Sequence, residues 1–168
     1  MRRIIAAHSE LAARYLMSQQ RDDGSWQDYD LPVGPSNQWI TAVVGLSLAE
    51  RGGEDNTQAA SRAAQWLLDN RYEEGWGFNE TTGPDVDSTA HALLLFHALD
   101  LPAPASAQDW LRARWQKEGG FATYDQDDAW GNAHVCVTAI AYSAVYRSSP
   151  EQRPPGLLEF LIDHRLPT

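Results

Sequence analysis

The run from Asp85 to His91 (Asp-Val-Asp-Ser-Thr-Ala-His) is the part of the sequence best suited to acid–base chemistry. It stands before an apolar stretch, and in a helix His91 would share a face with Asp87. A helix N-terminus stabilises a carboxylate, so a carboxylic acid placed there gives up its proton more readily. A second carboxylate or an imidazole nearby can hold such an acid and return the proton. The pattern predicts that Asp87 is a general acid, with Asp85 and His91 as its hydrogen-bond partners.

A structural interpretation of the same residues stays open. In that interpretation Asp85 caps the helix, Asp87 lies favourably on the helix dipole, and His91 bonds to Asp87. Acids with a catalytic role and acids that cap helices look alike in a sequence, so the residues alone favour neither interpretation.

The elements that must position these residues form a repeat. Three segments carry an aromatic-Leu pair on a helical stretch, followed by a polar turn that contains glycine and an aromatic residue. A fourth begins with the same pair. The segments are 15–26, 66–78, 110–121 and the stretch from residue 160 onward. Successive pairs are about 50 residues apart, which is the length of a two-helix repeat.

Each repeat combines two kinds of helix. The first kind has one apolar stripe, as in 60–68, and the second is apolar nearly all round, as in 40–49, 90–99 and 135–145. A one-sided helix belongs in an outer layer and an all-round apolar helix in an enclosed one. This alternation predicts an all-α fold of α/α toroid-type helical hairpins with about seven helices. Their starts are predicted near Arg3, Asn37, Asn56, Asp85, Ser106, Asn132 and Pro155.

The repeats are predicted to form a single domain, 1–168, divided at approximately 1–52, 53–101, 102–148 and a partial repeat 149–168. This amounts to about three and a half hairpins, a half-barrel, whereas a closed toroid of this kind uses about six. A homodimer or a hetero-complex is therefore expected to complete the toroid.

Composition excludes several classes of function. A net charge of −10 argues against broad contact with nucleic acid or anionic lipid. No apolar run is long enough to predict an integral membrane segment, and the N-terminal apolar stretch is too short for a signal peptide, so a cytoplasmic location is expected. Seven tryptophans are many for 168 residues. Four of them are predicted to pack within the repeats: Trp26, Trp66, Trp76 and Trp110.

Three strings resemble parts of a known enzyme family. The string YLMSQQRDDGSW (15–26) resembles the QW motif of squalene–hopene and oxidosqualene cyclases. The string GWGFNETTGPDVDSTAHALLLFHAL (75–99) resembles the segment that carries the DxDD acid motif of class II terpene cyclases. The string GGFATYDQDDAWG (119–131) is similar to a further turn of that family.

The resemblance implies an α/α toroid fold, which prenyltransferase-like relatives share, and in the cyclases the turn Gln and Trp tie neighbouring repeats together. It also implies that Asp87, matching the middle aspartate of DxDD, protonates an alkene or epoxide to start a carbocation cyclisation. Ser88 departs from the motif, because it stands where the family has its last aspartate.

Aligning the apolar helices on their Thr-Ala pairs, 41–42, 89–90 and 138–139, predicts one end of a shared cavity. Equivalent positions of a toroid should face the same end, and here they hold polar and aromatic side chains. Besides Asp85 and Asp87, the candidate substrate-binding residues there are Asn37, Trp39, His134 and Cys136, together with Trp130 from the loop before the third apolar helix.

No metal and no cofactor are predicted. Zinc is one alternative, because related protein prenyltransferases use Asp, Cys and His ligands, but their spacing is absent here. Cys136 is instead predicted to be a small buried apolar residue. The literal DxDD at 125–128 stands in a polar loop and is predicted to be solvated, with binding of Mg²⁺ or Ca²⁺ as the alternative.

Two functions are consistent with these features. One is a small class II terpene-cyclase-like enzyme that carries out acid-initiated cyclisation or isomerisation of an isoprenoid or other polyene in an apolar cavity. The other is a non-catalytic repeat module that binds a hydrophobic chain or a partner protein.

Overall fold

The computed structural model describes residues 2–116, 119–124, 131–146, 154 and 156–164 of the chain. Within these residues it contains seven helices and one short antiparallel hairpin. The helices are α1 (Arg2–Ser18), α2 (Gln38–Arg51), α3 (Glu54–Asp69), α4 (Val86–Ala98), α5 (Ala105–Ala113), α6 (Val135–Tyr146) and α7 (Leu157–Asp163). The hairpin pairs β1 (Asp30–Leu31) with β2 (Gly34–Pro35). The predicted all-α fold is confirmed, and each helix begins within a few residues of its predicted start.

The helices form two layers. In the inner layer α4 packs between α2 and α6, and in the outer layer α3 lies against α2 and α4 while α5 lies against α4 and α6. Their sequences explain this order. Nine of the 13 residues of α4 are buried, whereas the buried residues of α3 form one stripe that includes Ala60, Ala64 and Leu67. No helix in the described part of the chain is long and apolar enough to cross a bilayer.

A glycine lies where α2 packs closely against α4 and α3. A methyl group added at Gly45 would lie 2.8 Å from Cδ2 of Leu95 on α4 and 3.1 Å from Cβ of Ala63 on α3. These distances are too short for ordinary packing, so a larger residue would force Leu95 or the helices to shift.

Each inner helix is tied to the turn before it by a buried threonine. Oγ1 of Thr41, Thr89 and Thr138 accepts the backbone N–H of the turn aromatic, which is Trp26, Trp76 or Phe121, at 2.9, 3.1 and 2.8 Å. Thr41 and Thr89 also donate to the carbonyl of the same tryptophan. The turn and the first helical turn therefore form one hydrogen-bonded unit in the first three repeats.

The turn of the following repeat also binds the start of α2 and of α4. The backbone N–H of Asn37 donates to the carbonyl of Phe78, and that of Val86 donates to the carbonyl of Thr123. The amide of Gln20 donates to Ala59 on α3, at 2.9 Å. These bonds fix the position of one repeat relative to the next.

Three of the four tryptophans that are predicted to pack within the repeats are buried. Trp26, Trp66 and Trp76 are buried, and the indoles of Trp26 and Trp76 donate to backbone carbonyls of the preceding outer helix. Trp110 is only partly buried, with the Arg114 guanidinium 4.5 Å from its ring centroid.

We predict that Thr89→Val lowers the free energy of unfolding by about 1 to 3 kcal/mol, because it keeps the shape but leaves the buried N–H of Trp76 without its acceptor. Ser47→Ala is the control, since its exposed hydroxyl bonds only within its own helix and should stay within about 0.5 kcal/mol. Urea unfolding curves measure both. Equal stability of the two variants would contradict the prediction.

Candidate active site

The N-terminal ends of α2, α4 and α6 meet at a pocket of about 640 Å³ that is open to solvent. Trp39, Asp87 and Cys136, each the second residue of its helix, all line it, as the alignment of the Thr-Ala pairs predicts. The rest of the lining is largely apolar or aromatic and comes from the hairpin, the turns of the second and third repeats and α6: Tyr29, Leu31, Val33, Phe78, Tyr124 and Val137, with Thr82 and Thr123. Asp85 and Ser88 complete it. The arrangement places two carboxyl groups against a wall that is suited to a hydrocarbon chain.

Asp87 is held from a neighbouring repeat. The indole N–H of Trp39 donates to Oδ2 of Asp87 at 2.7 Å, and 29% of the Asp87 side chain is exposed. The Nδ1 atom of His91 lies 2.8 Å from the main-chain carbonyl of Asp87 and 3.5 Å from Oδ1 of its carboxyl. The predicted partners were His91 and Asp85. His91 lies at ion-pair distance from the carboxyl, whereas Asp85 bonds to Ser88, and the short hydrogen bond comes from Trp39, which the prediction did not include.

Asp85 is the cap of α4. Its carboxyl accepts the backbone N–H and the hydroxyl of Ser88, both at 2.7 Å, and only 3% of the residue is exposed. Burial, together with the smaller effect of the nearby charge of Asp87, raises the pKa of Asp85 to about 7, although the hydrogen bonds from Ser88 act in the opposite direction. Ser88, where the family has an aspartate, thus serves to hold the cap. The capping interpretation is confirmed for Asp85.

Tyr124 belongs to the site, although the sequence analysis did not select it. It lines the pocket beside Asp85. Burial raises the pKa of Tyr124, and the charge of Asp85 and a hydrogen bond to it act in the same direction. A signal was available: Tyr124 stands three residues after the turn aromatic Phe121, as Tyr29 stands three residues after Trp26.

Two of the other predicted residues act at helix starts. Asn37 caps α2 by accepting the backbone N–H of Gln38, and it donates to Glu80. The backbone of His134 donates to Phe121 and accepts from Thr138. Neither is part of the lining of the pocket, so the prediction that they contact a substrate there needs correction.

Cys136 is exposed, so the prediction of a buried apolar residue was wrong. Its place at the open end of α6 explains the difference, because the first turn of that helix borders the pocket. Trp130 and the 125–128 acidic run lie outside the described residues. Among the residues that are described, no three His, Cys, Asp or Glu side chains are grouped so that they could hold a metal ion.

Comparison with known proteins identifies the relatives. The chain is 34% identical over 157 residues to labda-7,13-dienyl diphosphate synthase from Streptomyces clavuligerus, which covers 87% of this chain and 27% of that protein. It is 30% identical over 118 residues to squalene-hopene cyclase from Schizosaccharomyces japonicus, covering 54% and 18%. No family model matches the sequence.

Solved structures agree with these relatives. The type II terpene cyclase MstE from Scytonema superposes with a TM-score of 0.79 at 28% identity, covering 95% of this chain and 50% of that one. A variant of MstE in complex with geranylgeranyl dihydroxybenzoate, its substrate, superposes with a TM-score of 0.74 at 26% identity, covering 94% and 49%. The homologues of the chain are class II terpene cyclases, and its structure matches their fold. The chain spans about a quarter of the first relative and about half of MstE.

We predict a pH-dependent contribution of Asp85 to stability. Its folded pKa of about 7 exceeds the ordinary value of 3.8, so the folded chain holds this proton more tightly than the unfolded chain. The contribution is full below pH 4 and is lost as the pH rises through 7. Asp85→Asn keeps the cap but has no such titration. The stability of the wild type relative to this variant should therefore fall by on the order of 2 kcal/mol between pH 5 and pH 8.

Urea unfolding at the two pH values measures this difference. Asp55→Asn is the matched control, because Asp55 is an exposed acid in the first turn of α3. The stability of the wild type relative to Asp85→Asn could instead be the same at both pH values. That result would show that the buried carboxyl is already charged at pH 5.

Proposed function

We propose that the chain carries the acid of a class II terpene cyclase and starts the cyclisation or isomerisation of an isoprenoid or other polyene, with Asp87 as the proton donor. One observation carries the proposal: Asp87 lines an apolar pocket, and Trp39 holds its carboxyl there. The relatives support the same chemistry, because two of them are named as a cyclase and a diphosphate synthase of a labdane skeleton, and MstE has a polyprenyl-type substrate.

The chemical step uses the residues of this pocket. The O–H bond of Asp87 breaks and leaves its electron pair on the carboxylate, while the π pair of a substrate double bond forms the new C–H bond. The other alkene carbon becomes a cation, which later double bonds attack in turn. The final cation loses one proton to solvent, and solvent returns one to Asp87, so the molecular formula of the substrate is unchanged. The N-terminus of α4 stabilises the carboxylate, and nearby aromatic faces such as Phe78 and Tyr29 favour a cation.

A non-catalytic binding module is the second candidate. It is favoured by the open pocket and by the exposed fraction of Asp87, since an alkene is a weak base and needs an acid shielded from water. In this role the apolar wall would bind a hydrophobic chain without reacting with it.

We further propose a homodimer or a hetero-complex that covers the open side of the pocket. The support is the exposure of Tyr29, Leu31 and Val33 at its rim, because apolar side chains in a group are costly to leave in water. Sedimentation equilibrium at high micromolar concentration should show a species heavier than 18.7 kDa. A stable monomer that binds no second chain would contradict this assembly.

We predict that Asp87→Asn lowers the rate of cyclisation by at least about a hundredfold while the fold stays intact, because the amide keeps the shape but cannot deliver the proton. Asp55→Asn, which removes an acid from the first turn of an outer helix, should keep full activity. The assay incubates the protein with linear isoprenoids of several lengths, free and as diphosphates, and detects cyclised isomers of unchanged mass. Turnover that survives in Asp87→Asn would refute the acid assignment, and absence of turnover with every polyene would favour the binding module.

A further inference from the structure

Trp39 and Asp87 occupy equivalent positions in neighbouring repeats. Each is the second residue of an inner helix, and the two helices, α2 and α4, lie side by side. The indole of one repeat thus reaches the carboxyl of the next, and the N···O distance is 2.7 Å. Both side chains line the pocket.

The two groups that reach the carboxyl of Asp87 both present a hydrogen. An indole N–H can only donate. The Nδ1 atom of His91 lies 2.8 Å from a main-chain carbonyl, which can only accept, so this nitrogen carries a proton. Neither the Trp39 indole nor Nδ1 of His91 is therefore placed to accept the proton of Asp87, and Asp87 lines the pocket, where a substrate can accept it.

We infer that Trp39 is a positioning residue for proton donation. Its N–H binds Oδ2 of Asp87, which leaves the acidic proton on Oδ1. It also stabilises the carboxylate that remains when the proton has passed to a substrate. The inference rests on the proposed function. A hydrogen bond to a carboxylate is stronger than one to a neutral carboxyl, so this bond contributes more after proton transfer than before and accelerates the step. The indole proton itself is not transferred.

The rival role for Trp39 is that of a plain aromatic wall. Trp39→Phe separates the two roles, because it keeps a ring in the pocket and removes the N–H. We expect kcat for polyene cyclisation to fall about 10- to 100-fold, with KM within about threefold of the wild-type value. Trp110→Phe makes the same chemical change at a site under Arg114 and should leave both constants unchanged. An unchanged kcat in Trp39→Phe would overturn the positioning role.

A second measurement needs no turnover. In ¹⁵N spectra of the indole groups of the full chain, the signal missing from Trp39→Phe identifies Trp39. We expect this signal to shift with pH in the wild type and in Asp85→Asn, and to lose that dependence in Asp87→Asn. The variants are needed because other titratable groups surround Asp87: Asp85 and His91 on α4, Tyr29 from the hairpin, and Tyr124 and Cys136 from the third repeat.

The two measurements fail in different ways. A Trp39 signal with the same pH dependence in Asp87→Asn as in the wild type would show that the hydrogen bond does not form in solution, and this would overturn the inference whatever the protein does to polyenes. A pH response that Asp87→Asn abolishes, in a chain that cyclises no polyene, would support the bond and refute the proposed function alone.

Discussion

The structure depends on the buried threonine that joins each inner helix to its turn. A hydrogen bond that is exposed to water adds little to the free energy of unfolding. A buried backbone N–H without an acceptor lowers that free energy by more than one such bond contributes. Thr41, Thr89 and Thr138 each remove that cost at the same register, so the three inner helices start at the same level. The composition of the pocket lining depends on this common level, because it brings Trp39, Asp87 and Cys136 to the same space.

Two carboxyls only two residues apart have different surroundings. Asp85 is enclosed, and burial raises its pKa to about 7, whereas 29% of the Asp87 side chain is exposed and it lines the pocket. A carboxyl that is removed from water keeps its proton more readily. Ser88 makes this division of roles possible, since it donates to Asp85 where a third acid would add charge.

The sequence could predict the helices, their two layers and the level of the site, because apolar periodicity and capping residues are local signals. Asp85 as a cap and Trp76 as a packing residue follow from such signals. The bond between Trp39 and Asp87 could not be predicted, because it depends on the distance between two helices that belong to different repeats. The error at Cys136 has the same origin: a helix that is apolar all round is still open at its first turn when that turn borders a cavity.

The contact between Gly45 and Leu95 makes the pocket sensitive to substitutions between α2 and α4. Gly45 lies about two helical turns from Trp39 along α2 and is not part of the pocket lining. A larger residue there would force Leu95 or the two helices to shift, and a hydrogen bond weakens as its atoms separate. The bond between Trp39 and Asp87 therefore depends on packing well away from both residues. Substitutions between the two repeats would alter that bond without touching either partner, so a survey of variants should include the residues between α2 and α4 as well as those that line the pocket.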